Sequence, residues 1–322
     1  MQIRDKLIKL VWVVGALLGV CTSVLAQTYP DKPIHMIVPY AVGGGVDNIT
    51  RVVVRYLSPL LGQTIVVDNK SGANGNIGAD FVAKAAPDGY TLLMGASFLS
   101  TNRATMKELT YDASADLLPV ARAGQSPSIL VVSAEMPVKN VAELVSYVRA
   151  HPDKSSYGVI GIGSPPTIMF VKHVNSTPVQ ILYKGGSLAI PDLLSQRLTF
   201  MVNPASEVLT QIQSGKLRAL AVTGTERFFA LPDVPTMGEA GVPNDEFIVW
   251  WGIMGPSKLP QAIADKISVA MGEVMKMPEV IEALHNLGIA DAYLNHQDFK
   301  KFYSRQIEDD ERIAREFNLK IN

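Results

Sequence analysis

The chain has 322 residues, 48% of them hydrophobic and 18% charged, with 29 basic side chains against 30 acidic ones. A net charge of −1 gives no electrostatic footing for nucleic acid or an anionic membrane surface. A single cysteine, Cys21, excludes a disulfide-stapled scaffold and any metal site built from several thiolates.

Residues 1–26 read as an export signal. Arg4, Lys6 and Lys9 form a basic start, and residues 10–20 an apolar stretch broken only by small side chains. Val24-Leu25-Ala26 then supplies the small residues of a cleavage site, predicting a mature chain that begins at Gln27. The apolar stretch falls short of the roughly 20 residues that a membrane-spanning helix needs. Lipidation would use Cys21, but Val20 is bulky for the residue before a lipidated cysteine. Cleavage removes three basic residues, one acidic residue and Cys21, leaving a net charge of −3 and no thiol.

From Gln27 onward, short apolar strands alternate with amphipathic helices, which predicts an α/β fold with largely parallel sheets. The first strand, 34–40, empties into Ala41-Val42-Gly43-Gly44-Gly45-Val46-Asp47. Beyond it, Ile49, Val52, Val53, Tyr56, Leu57, Leu60 and Leu61 mark one face of a helix that stops at Gly62. Further strands are predicted at 64–69, 91–96, 118–123, 129–133, 156–160, 179–183, 199–203, 217–223 and 248–254. Ten strands exceed what one six-stranded doubly wound sheet comfortably holds, so two lobes are expected: 27–125 with 225–322, and 126–224. Crossings near 124–127 and 223–227 would form a hinge, with the ligand site in the gap. Asn140 and Glu143 form a capping box opening a helix at 141–150, and Ser206 opens another at 207–214 that Gly215 closes. Three helices finish the chain, at 261–277, 279–287 and 297–317, the last with a charged, solvated face around 308–312.

Three glycines between a strand and a helix let backbone N–H groups reach a ligand. The helix start adds unpaired donors and a partial positive charge, making an anion seat. Val46-Asp47 stands where a phosphate loop needs Lys-Ser/Thr, and Asn48 where a dinucleotide loop needs its third glycine, so a smaller anion such as a carboxylate fits better. Read alone, the same glycines equally describe a tight strand-to-helix turn. Residues 157–167 repeat the logic: Gly161 and Gly163 free the backbone, Ser164 can N-cap, and Pro165 suits the first helical turn. Thr167 offers a hydroxyl that is equally a ligand donor or a structural group. Ile162-Gly163-Ser164-Pro165-Pro166 lacks the flanking glycines of a nucleophile elbow. Tyr183-Lys184-Gly185-Gly186 also follows a strand and could complete a cup of backbone donors.

Ser97, Phe98 and Ser100 follow the 91–96 strand, where α/β sheets place ligand contacts. Asp47 is expected to N-cap its own helix through the Ile49 or Thr50 N–H, with a ligand hydroxyl, amine or bridging water as the other partner. Trp250 and Trp251 are expected in the core, and the five histidines show no ligand spacing. An enzyme would show a nucleophile, an acid–base pair or a metal cluster, and none is legible.

The run 39–47, then Leu61-Gly62-Gln63, Val67-Asp68-Asn69, Gly72-Ala73-Asn74-Gly75 and Pro87-Asp88-Gly89-Tyr90, resembles the tripartite tricarboxylate transporter substrate-binding proteins, called Bug receptors. The likeness continues through Gly161-Ile162-Gly163-Ser164, Tyr183-Lys184-Gly185-Gly186, residues 215–222 and Leu231-Pro232-Asp233-Val234-Pro235-Thr236, in order along nearly the whole mature chain. It implies a two-lobed type II periplasmic binding protein fold, α/β, with a mainly parallel sheet in each lobe and a hinge. It also implies a periplasmic receptor without enzymatic activity, cofactor or metal. Such a receptor closes on a small organic mono- or dicarboxylate, aromatic acids included, and presents it to the membrane permease subunits of a secondary transporter. The binding residues it implies are Tyr40, Ala41, Gly43, Gly44, Asp47 and Ser97 on one lobe, with Gly161, Gly163, Ser164, Thr167 and Tyr183 on the other. Thr167-Ile168 stands where the family often has His-Leu, and Val42 where it often has Pro, so neither ligand nor contacts transfer. A ligand-sensing protein that reports to a signalling partner is the alternative the sequence leaves open.

Overall fold

The computed structural model describes residues 29–160, 165–183, 186–242, 247–316 and 319. The predicted signal sequence, Gly161, Gly163, Ser164, Lys184 and Gly185 lie outside the described residues.

β1 (Ile34–Val38) is the centre of a parallel trio, with β2 (Ile65–Asn69) and β3 (Thr91–Ala96) on its two sides. α1 (Gly45–Leu61) buries Ile49, Val53, Leu57 and Leu61, a stripe spaced three to four residues apart, in the same core as Met36, Ile37 and Val38. Gly62 ends the helix in the left-handed conformation at φ +72°, as the sequence predicts. β9 (Ile248–Pro256) runs antiparallel to β3, and β4 (Leu117–Ser133) antiparallel to β9.

β4 joins the two halves of the molecule. From Leu117 to Pro127 it pairs with β9; from Ser128 onward it pairs with β7 (Phe200–Pro204) and β8 (Leu217–Val222) instead. A second parallel trio follows, with β5 (Ser156–Ile160) between β7 and β6 (Val179–Tyr183). The sheet path is β2-β1-β3-β9-β4-β7-β5-β6, with β8 also on β4. Alternate residues of β4 feed opposite layers, because successive strand side chains point to opposite faces. Leu130 and Val132 meet α4 (Val141–Ala150) and α5 (Pro165–Val174), whereas Ile129 and Val131 meet α6 (Gly186–Leu194) and α7 (Ala205–Gln213).

Three sequence readings need correction. The strands predicted at 118–123 and 129–133 are one strand of 17 residues, and Gly124 is no turn within it. A Cβ at Gly124 would lie 2.6 Å from Ile289 and 2.9 Å from the Ala290 carbonyl, so close approach of the C-terminal segment requires the glycine. Among the named strands, parallel pairing is confined to the two trios, because β4 and β9, which lie between the trios in the sheet, pair antiparallel. The sequence places the return crossing at 223–227, yet Phe228, Met237 and Val242 pack in the second half, and the next described residue, Phe247, in the first.

α8 (Gln261–Val274), α9 (Pro278–Asn286) and α10 (His296–Glu316) return to the first half. Phe299 and Tyr303 of α10 pack edge-on against the buried Trp250 with ring centroids 5.3 and 5.6 Å away, and Trp251 is buried too. The charged stretch of α10 is not wholly solvated. Asp310 is buried against Thr101 of α3 (Phe98–Thr105), and Glu311 pairs with Arg103. Burial pushes the Asp310 carboxyl up to about 6, against hydrogen bonds from Ser100, Gln306 and Thr101 that favour its ionised form.

Candidate functional site

The first glycine loop hangs between the end of β1 and the start of α1. Gly43 takes φ +80°, the left-handed region that favours glycine, whereas Gly44, the residue preceding the helix, is extended at φ −75° and ψ 169°. The Gly44 N–H closes a turn on the Ala41 carbonyl at 3.3 Å, and the helix ladder begins with Asn48 N–H to Gly44 O at 2.9 Å. The N–H groups of Gly45, Val46 and Asp47 precede that bond, and no side chain caps them.

Asp47 does not N-cap the helix as the sequence suggests; it is the third helical residue. Its carboxylate accepts from the Gly43 N–H at 2.9 Å, from Arg51 Nε at 2.8 Å and Nη2 at 3.0 Å, and from Asn69 Nδ2 at 3.0 Å. Asn69 also donates to the Tyr40 carbonyl at 3.0 Å, so the end of β2 ties both ends of the loop. Burial alone would raise the Asp47 carboxyl. The bonds from Arg51, Gly43 and Asn69, with the Arg51 charge, outweigh it and hold the group below the usual carboxylate range. Asp47 is therefore the staple that shapes the loop.

Tyr40 lies edge-on to Phe98 with ring centroids 5.5 Å apart. This pair covers the turn 72–75, where a Cβ on Gly75 would come within 2.7 Å of the Phe98 ring. Behind it, Asn102 donates to the Asn74 carbonyl at 3.0 Å and to Asn76 Oδ1 at 3.1 Å. Ser97, buried at the carboxyl end of β3, adjoins this wall, and its N–H is committed to the Trp250 carbonyl at 3.2 Å. The structure thus gathers Tyr40, Ala41, Gly43, Gly44, Asp47 and Ser97 at one end of the first parallel trio.

In the second half the parallel strands β5, β6 and β7 also end at one edge. Thr167 is buried there in the first turn of α5. The Tyr183 hydroxyl donates to Asp192 of α6 at 2.7 Å, and burial followed by that bond pushes the phenol up to about 12. Its side chain is thus engaged within its own half. Among the described residues, no group of three or more His, Cys, Asp or Glu could hold a metal ion.

The two edges face each other. A Cβ at Gly45 would lie 3.2 Å from the Ser206 hydroxyl of α7, which places the start of α1 against the start of α7. Ser206 does not open its helix as expected, since Pro204 precedes the first turn and no side chain caps it. Its hydroxyl is buried with no hydrogen-bond partner among the described residues. Beside it, Glu207 Oε2 accepts from Asn203 Nδ2 at 3.0 Å, and a Cβ at Gly186 would fall 1.6 Å from that oxygen. Burial pushes the Glu207 carboxyl up to about 7, and the Tyr40 phenol is raised by burial, then by Glu207 and Tyr111. Sequence reasoning missed Asn203, Ser206 and Glu207 as site residues. The signal was available: they follow β7 at its carboxyl end, the position that singled out Ser97 on β3.

Comparison with known proteins identifies the family. Residues 49–319 match the family model described as tripartite tricarboxylate transporter family receptor. Protein BugT of Bordetella pertussis is 32% identical over 321 residues, covering 98% of each chain. The solved periplasmic binding protein BugD superposes with a TM-score of 0.83 at 31% identity, over 91% of this chain and 99% of that one. Two Rhodopseudomonas palustris proteins share the fold: Rpa4515 with adipate (TM-score 0.84, 29% identity, 90% and 98% coverage) and MatC with malate (0.82, 27%, 89% and 100%). The chain belongs to the tripartite tricarboxylate transporter receptor family, that is, to the non-enzymatic solute-binding receptors of the periplasm.

Proposed function

We propose that this receptor captures a small organic carboxylate between its two halves in the periplasm and delivers it to the membrane subunits of a tripartite tricarboxylate-type transporter. The observation that carries the reading is the opposition of two helix starts, α1 and α7, across the carboxyl ends of two parallel trios. Relatives of the same fold that hold adipate and malate support the ligand class.

The energetics suffice without a full positive charge. Each helix start contributes about 0.3–2 kcal/mol toward an anion, and each charge-assisted hydrogen bond about 1.5–3 kcal/mol. Three or four such bonds, less the cost of ordering, reach the roughly −8 kcal/mol of micromolar affinity. Donors from both halves make the ligand favour the closed arrangement differentially, which closure requires. The hinge of this scheme lies where β4 changes partners at Pro127 and Ser128.

A thermal-shift screen against a carboxylate panel tests the proposal. A true ligand raises the melting temperature with concentration as RT ln(1 + [L]/Kd). A response to an uncharged sugar or a cation, with none to any carboxylate, would overturn it.

A further inference from the structure

Glu207 is an odd residue to find in a carboxylate receptor. It sits in the first turn of α7, beside the opposed helix starts, and makes no ion pair among the described residues. Among the described residues its hydrogen-bond partner is the neutral Asn203 amide, which holds Oε2 at 3.0 Å. The start of α6 is shaped around this same oxygen, since any side chain at Gly186 would displace it. Next to it lies the buried hydroxyl of Ser206, which has no hydrogen-bond partner among the described residues.

Resting on the receptor reading above, we infer that Glu207 selects the ligand: a carboxylate whose second polar group is a hydrogen-bond donor, an ammonium or a hydroxyl, in preference to a dicarboxylate. Two arguments lead there. A part-buried acceptor with one oxygen held by a neutral amide gains most from a donor on its other oxygen. A second ligand carboxylate brought to the same place meets a like charge in a poorly hydrated site, where repulsion is strong. The chain's own carboxylate thus occupies one of the places where a second acid group would be received.

Burial already pushes this carboxyl up to about 7, so a ligand ammonium would draw it toward its ionised form, and a ligand carboxylate toward its protonated one. Among the described residues the titratable group facing it is Tyr40, whose phenol stays neutral through this range. Preference for the donor ligand should therefore grow as pH rises.

The test is calorimetric titration of the purified protein with chain-matched ligands: succinate, 4-aminobutyrate and 4-hydroxybutyrate, then adipate, 6-aminohexanoate and 6-hydroxyhexanoate. At pH 8.5 at least one donor ligand should bind about tenfold or more tighter than the dicarboxylate of its length. Glu207→Gln, with Glu207→Ser as a smaller replacement, should reduce that ratio about tenfold and tighten dicarboxylate binding. Wild-type preference for the dicarboxylate, or an unchanged ratio in a folded variant, overturns the inference while leaving the receptor reading intact. If both variants misfold, the wild-type ratio between pH 6 and 8.5 decides: a rise supports the inference and a flat ratio overturns it. No binding of any carboxylate would defeat the receptor reading, and this inference with it.

Discussion

Replacing Asp47 by alanine should destabilise the protein by about 2–4 kcal/mol. Its side chain is only 1% accessible and receives four hydrogen bonds, two from Arg51 and one each from the Gly43 N–H and Asn69. Arg51 is 51% accessible, so water replaces much of what it loses, and its share is the smallest. The Gly43 and Asn69 donors are less easily rehydrated; bonds from such donors to a charged acceptor contribute about 1.5–3 kcal/mol each, partly recovered as the loop relaxes. The sign of the pH dependence follows from the lowered carboxyl. Its contribution is fully present above the ordinary value of 3.8 and is lost as pH falls through the still lower folded value. Urea denaturation at pH 7 and at pH 3 measures both. A loss below about 0.5 kcal/mol at pH 7, or an undiminished loss in acid, would refute the view that Asp47 holds the loop.

The two neighbouring glycines should separate. Gly43→Ala places a side chain at φ +80° and should cost about 1–2 kcal/mol, whereas Gly44→Ala, at φ −75°, should cost well under about 1 kcal/mol; equal losses in urea denaturation would contradict the backbone account. Asp310, raised to about 6 by burial, reverses the usual carboxylate sign: stability falls as pH rises from its ordinary 3.8 toward 6 and the deficit persists above. The stability of Asp310→Asn relative to wild type should therefore improve by about 1–2 kcal/mol between pH 5 and pH 8, and a pH-independent difference would exclude that penalty. Gly124→Val should cost about 2–4 kcal/mol by wedging Ile289 and Ala290 away from β4, and a neutral result in thermal melts would remove the close-approach argument.

Local signals in this chain were reliable wherever one segment supplies its own constraint. The Thr91–Ala96, Ser156–Ile160 and Val179–Tyr183 strands were read with their observed bounds, because short, largely apolar runs bounded by turn residues need no distant partner to be recognised. Asn140 likewise caps as its spacing implies, its side chain accepting the Glu143 N–H at 2.9 Å, while the Glu143 carboxylate takes the Lys139 N–H at 2.7 Å and the Asn140 side-chain amide at 2.8 Å instead of the Asn140 backbone N–H. The first glycine loop was legible as a strand-to-helix connection, although the part played by Asp47 in it was not. That part depends on Asn69, 22 residues away, and on Arg51 turning back along the helix.

Sequence by itself settled the α/β class, the family and the place of the first glycine loop, since each is written in short-range periodicity and ordered motifs. Tertiary structure alone decided that Leu117–Ser133 is one strand shared by both halves, that Gly124 admits the close approach of Ile289 and Ala290, and that the start of α1 lies against Ser206. The physical reason is the same in each case. Pairing, close approach and desolvation are properties of what a residue meets after folding, and Gly45 and Ser206 meet only because two distant sheet edges are turned toward each other.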